Sequence, residues 1–92
     1  MPYISQTKRH VLDPHIDPLI NALRELESDD PSNNMEGNLN YIITVLVKCT
    51  MGIGYRGIND AIGMLESCKL ELYRKHAAPY EDQKEFENGA VE

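Results

Sequence analysis

The sequence predicts an all-α protein. Apolar residues recur at three- and four-residue spacing in three separate stretches, and each stretch is bounded by helix-capping or helix-stopping residues. The β-branched run Ile42-Ile43-Thr44-Val45 also fits a buried strand, but the length of its segment and the spacing within it favour helix. The predicted architecture is three main helices, about 14–27, 38–51 and 56–77. A short N-terminal turn of helix precedes them and an extended acidic C-terminal tail follows. The whole chain, 1–92, reads as one helical domain, with a packed core over 1–80 and the tail over 81–92.

In chain order, Ser5 can cap a first turn over residues 6–12, and Asp13-Pro14 then signals a helix start. Asp17-Pro18 repeats that signal four residues later, so either can be the true start. Ile16, Leu19, Ile20, Leu23 and Leu26 keep a helical period to about residue 27. Residues 29–37, with Pro31, two Asn and Gly37, read as a polar, variable loop. In the second helix Leu39, Ile42, Ile43, Leu46 and Val47 form one stripe, while Tyr41, Val45 and Cys49 fall beside or opposite it. A helix so apolar needs partners on both faces, more than a lone hairpin supplies. The turn Gly52-Ile53-Gly54 leads to the third helix, whose stripe is Ile58, Ala61, Ile62, Leu65, Cys68, Lys69 and Leu72. Glu71 precedes Lys75 by four residues, the spacing of a surface ion pair. Pro79 is expected to stop this helix near Ala77, leaving the tail either extended and docked through Tyr80 and Phe86 or partly disordered.

Composition bounds the function. At 92 residues with one Phe and no Trp, the chain has few large side chains for a core, and assembly is the common remedy, so a homo-oligomer is expected. The net charge is −6, and residues 78–92 alone carry −4. An acidic chain without a basic run speaks against a nucleic-acid surface. The longest apolar tract, residues 41–47, is too short to span a bilayer, and no export signal is visible, so the cytoplasm is the default location. Cys49 and Cys68 lie in apolar patterns and read as reduced core residues, with a disulfide between the second and third helices as the alternative.

No catalytic set emerges and no cofactor is expected. Glu66 and Glu71 invite comparison with the carboxylate pairs of helical Mg²⁺-dependent pyrophosphohydrolases. A spacing of five turns them about 140° apart on a helix, and Lys69 stands where another ligand would be needed. His10, His15 and His76 lack zinc spacing, so no metal site is assigned. Gly52-Ile53-Gly54 resembles half of a phosphate loop but lacks the preceding strand and the following Lys, and reads as a helix–helix turn. What stands out is a polar and aromatic set in apolar surroundings. It comprises Asn40, Tyr41 and Thr44 on the second helix, and Tyr55, Asn59, Glu66, Lys69, Tyr73 and Arg74 around the third. These residues can form interhelical hydrogen bonds and a buried Glu66–Lys69 pair. They can equally line a pocket at a subunit boundary, where Tyr rings stack on a base and Lys69, Arg74 and amides hold phosphate or ribose oxygens.

Five segments together carry a resemblance: Met1 to Ile4, Leu12 to Pro14, Leu39 to Thr44, Glu66 to Arg74, and Pro79 to Lys84 with Asn88-Gly89. Across nearly its full length the chain resembles a family of small, mostly phage-encoded proteins of unassigned function. The resemblance implies a single compact domain and, by analogy with small phage proteins that counter host defence, a helical oligomer sequestering a nucleotide-like signal. A protein-binding inhibitor or adaptor acting through the acidic tail is the alternative. A helical Mg²⁺-dependent nucleotide pyrophosphohydrolase, needing Glu66, Glu71 and a further acid to converge, is a second.

Overall fold

The computed structural model describes residues 2–91; Met1 of the opening motif and Glu92 of the tail lie outside them. Every regular element among the described residues is helical: α1 (Gln6–Asp29), α2 (Met35–Thr50), α3 (Tyr55–Leu72), a π-helical turn (Tyr73–Ala77) and α4 (Ala78–Asn88). The last three run on as one rod, so the all-α, three-helix expectation holds. Its boundaries move, each for a local reason.

The two Asp-Pro signals do not start α1. Ser5 does, its hydroxyl accepting from the Lys8 N–H at 3.3 Å, and the helix then runs through Pro14 and Pro18. Each proline deprives the carbonyl four residues earlier, His10 and Pro14 respectively, of its helical donor. Both sit on an exposed stretch where water can take those carbonyls. The N-terminal turn and the first helix are therefore one element.

The connection from α1 to α2 is held by its own side chains. Asp30 accepts from the Ser32 N–H and hydroxyl at 2.9 and 2.7 Å, and Asn38 donates to Asn33 at 2.8 Å. Asn34 then caps α2 through the Gly37 N–H at 2.9 Å, which starts that helix three residues earlier than expected. At its far end Gly52 adopts φ +83°, and its N–H reaches the Val47 carbonyl at 3.2 Å, closing α2 with a left-handed glycine. The chain turns so sharply here that Gly57 lies against the Met51 carbonyl, where a Cβ would overlap backbone oxygen.

Pro79 does not stop the third helix. The backbone widens by one residue instead: the Ala78 N–H bonds to the Tyr73 carbonyl in an i→i−5 turn. That relieves the clash of the proline ring with the preceding turn. The expected extended tail is accordingly helical over most of its length, as α4, ending where Gly89 adopts φ +91°.

The largest departure concerns the core. Among the described residues only Ala61 is buried, at 3% exposure, so the packed core expected over 1–80 does not form within one protomer. The accessible surface is 8108 Å², against about 5,400 Å² for a compact monomer of this length. The radius of gyration is 17.1 Å, against about 12 Å. Cys49 and Cys68 are free, as expected of reduced thiols, but exposed rather than in a core. The surface in excess of a compact monomer is about 2,700 Å² for the chain, on the scale that obligate subunit interfaces cover.

Gly57→Ala should test the α2–α3 corner. With backbone rather than a flexible side chain in the way, the expected loss is about 1–3 kcal/mol, read as a lower melting temperature by circular dichroism. An unchanged melt would mean the corner can open without cost.

Candidate functional site

Asn34, Glu36, Gly37, Asn40, Tyr41 and Thr44 surround an open depression of about 480 Å³ at the start of α2. The helical period brings Asn40, Tyr41 and Thr44 to one side of the helix. Their bonds are local. The Thr44 hydroxyl donates to the Asn40 carbonyl at 2.7 Å and lies 3.3 Å from its side-chain oxygen. Asn40 and Thr44 thus make no interhelical hydrogen bond to each other's benefit; they stay on the surface with donor and acceptor capacity to spare. Tyr41 is 71% exposed. It also borders a second, apolar groove of about 240 Å³ formed with Leu19, Ala22, Leu23 and Leu26 of α1 and Asn38 and Ile42 of α2.

The α3 members of the set lie elsewhere, and none of them lines either space. Tyr55 and Asn59 are exposed in the first turns of α3. Glu66 accepts from Lys69 at 3.2 Å, with both side chains largely in solvent, so the buried ion pair is replaced by an exposed one. Its contribution to stability is correspondingly small. The Tyr73 hydroxyl reaches Glu81 at 3.5 Å across the π turn. Arg74 forks onto Glu71 at 2.8 and 3.4 Å, beside a shallow depression it shares with Pro2, Ser67, Leu70 and Glu71. Arg74 also takes the place that the i, i+4 spacing assigned to Lys75.

Glu71 is the centre of a cluster that sequence reasoning did not assemble. Its side chain is 19% exposed, and besides Arg74 it accepts from the Tyr3 hydroxyl. Tyr3 precedes the cap of α1, so this contact ties the N-terminus of α1 to the end of α3. Pro2, Tyr3, Cys68, Glu71, Leu72, Lys75 and His76 close a small cavity of about 190 Å³ there. The Tyr3 bond, followed by the Arg74 guanidinium, holds the Glu71 carboxyl below the usual carboxylate range. The same bond pushes the Tyr3 phenol up, and the Glu71 carboxylate, by hydrogen bond and charge, favours the charged form of Arg74. No periodicity marks Tyr3; the one available signal was its place in the opening Met-Pro-Tyr-Ile motif. With both oxygens of Glu71 engaged and Glu66 on Lys69, the two carboxylates do not converge. Among the described residues no three His, Cys, Asp or Glu side chains gather as a metal site.

The arrangement defines a class first: an open, all-helical protein with a polar, aromatic-bordered depression beside an apolar groove, and with no helix among the described residues long and apolar enough to cross a membrane. The chain belongs to a family described as a domain of unknown function, DUF6899, which matches residues 1–91. No curated protein and no solved structure matches it.

A depressed carboxyl pKa means the Glu71 contacts stabilise the fold above the ordinary carboxylate pKa and are lost as pH falls through the depressed value. Tyr3→Phe should move the Glu71 titration, followed by carbon-detected NMR, back toward its ordinary value. An unshifted titration would assign the effect to Arg74 alone.

Proposed function

We propose that this protein is a non-enzymatic binding protein that works as a homo-oligomer and sequesters a nucleotide-like small molecule. In the phage setting its sequence resembles, that is the work of an anti-defence factor. The observation that carries the reading is the surface in excess of a compact monomer, on all three helical rods. Ile16 and Leu26 on α1, Leu46 on α2 and Ile58, Ile62, Leu70 and Leu72 on α3 are exposed apolar residues, too many for a stable monomer. The depression around Asn40, Tyr41 and Thr44 supports the ligand class. It offers amide and hydroxyl groups beside a free aromatic ring, the chemistry that reads a base or a ribose. On one protomer it is open to water, and a covering subunit would give it the enclosure that small-molecule sites need.

A specific observation favours a second reading, docking to a host protein. α4 carries Phe86 at 90% exposure amid Glu81, Asp82, Glu85 and Glu87. That is an acidic helix with an aromatic anchor, suited to a basic groove on a partner.

The test combines light scattering with thermal shift against linear and cyclic nucleotides and ADP-ribose derivatives. A ligand at a hundred times its dissociation constant adds about 2.7 kcal/mol, and a sequestered ligand should be recovered intact after denaturation. Tyr41→Ala should reduce the shift while leaving the unliganded melt close to wild type, since the side chain is exposed. An oligomer that ignores the whole panel, yet loses its effect on the host when truncated before α4, would replace this reading with the docking one.

A further inference from the structure

We infer that the groove between α1 and α2 receives the apolar stripe of α3 from a second copy of this chain. The partner's Tyr55 and Asn59 thereby complete the site begun by Asn40, Tyr41 and Thr44. This rests on the homo-oligomer reading above and names its geometry.

Three observations lead to it. The groove lined by Leu19, Leu23, Leu26 and Ile42 lies at the end of the α1–α2 hairpin that carries the connecting loop. α3 of the same chain leaves from the opposite end. It is set there by Gly52 and Gly57 at the corner and by Tyr3 on Glu71 further along, and it contributes nothing to the groove. Its own stripe, Ile58, Ile62 and Leu65, is left uncovered, with Ile62 60% exposed. The groove and the stripe are thus unlike, unsatisfied surfaces. A helix laid into a two-helix groove is a recurrent way to bury such a pair. Two copies that exchange stripes form it twice about a two-fold axis and close without leaving a free end.

The area is of the right size. Each copy carries about 2,700 Å² beyond a compact monomer, so a pair has enough to bury an obligate interface rather than a transient one. The exchange also explains why the polar set is split. On a helix Tyr55 and Asn59 lie about 60° and 100° to one side of Ile58, along the edge of the stripe. Tyr41 borders both the groove and the polar depression. Seating the stripe in the groove therefore brings the partner's Tyr55 and Asn59 up to the Tyr41 side, into the open face of the depression.

Single-cysteine chains test this with only one apolar side chain shortened on each. In a Cys49→Ser, Cys68→Ser background, Leu26→Cys on one tagged chain and Ile62→Cys on a differently sized chain are co-expressed and oxidised. Wild-type mass is measured by light scattering alongside. Leu26 and Ile62 are both surface residues of the protomer, and circular dichroism checks that each variant keeps its helicity. The exchange predicts a hetero-linked dimer as the main product, and only background linkage when Val11→Cys, on α1 outside the groove, replaces Leu26→Cys. An oligomeric wild type that yields only self-linked chains, or no linkage, overturns the exchange and leaves the homo-oligomer reading standing. A monomeric wild type overturns both and frees the groove for another occupant.

Discussion

Burial is the quantity this chain cannot supply from within, and its other features follow from that shortage. Ordering about ninety residues costs on the order of 100 kcal/mol or more in conformational entropy, and apolar burial must offset most of it. With Ala61 alone buried among the described residues, a protomer falls far short. Its helices are held by ends rather than by faces: Ser5, Asn34 and Gly52 close helix termini, and Tyr3 on Glu71 sets one angle between rods. Such contacts specify direction well and supply little free energy. On the proposed homo-oligomer reading, folding and association are one equilibrium, and stability depends on chain concentration.

That division between direction and energy also decides what the sequence could tell. The helical period of Ile58, Ile62, Leu65 and Leu72, and of Leu39, Ile42 and Leu46, depends only on which side must be apolar, whichever molecule covers it. The all-α class and the middle rods were therefore legible. Pro14, Pro18 and Pro79 misled because a proline reports a cost, and the sequence does not say how that cost is met. In α1 exposed carbonyls can turn to water, and at Pro79 the backbone widens into a π turn from Tyr73 to Ala77. The acidic run after Pro79 looked like a tail by composition. Yet Lys84 over the Tyr80 ring and on Glu87, with Gln83 also on Glu87, gives it the i, i+3 and i, i+4 pairs of a surface helix.

The candidate site was legible as chemistry and illegible as geometry. Asn40, Tyr41 and Thr44 could be grouped because one helix sets their spacing. Tyr55, Asn59, Lys69 and Arg74 could not be placed against them, since that depends on the angle between rods and on which chain covers which groove. Arg74 shows the limit most plainly. By type it suits a phosphate, but it forks onto Glu71, a carboxylate that it shares with the phenol of Tyr3 from the far end of the chain.

A site divided between two chains has a consequence that a self-contained pocket lacks. If ligand contacts both subunits, its binding and the association of the subunits are linked, and each must strengthen the other by the same factor. Dilution would then weaken sequestration before it unfolds any helix, and a saturating ligand would hold together chains that part without it. Under the sequestration proposal, that coupling is useful. In the proposed exchange, stripe and groove would fix the resting assembly, and the polar edge of Tyr41, Asn40 and the partner's Tyr55 would tune it to ligand. The split of the polar set across α2 and α3, which looks like a defect in one protomer, is on this argument the source of the linkage.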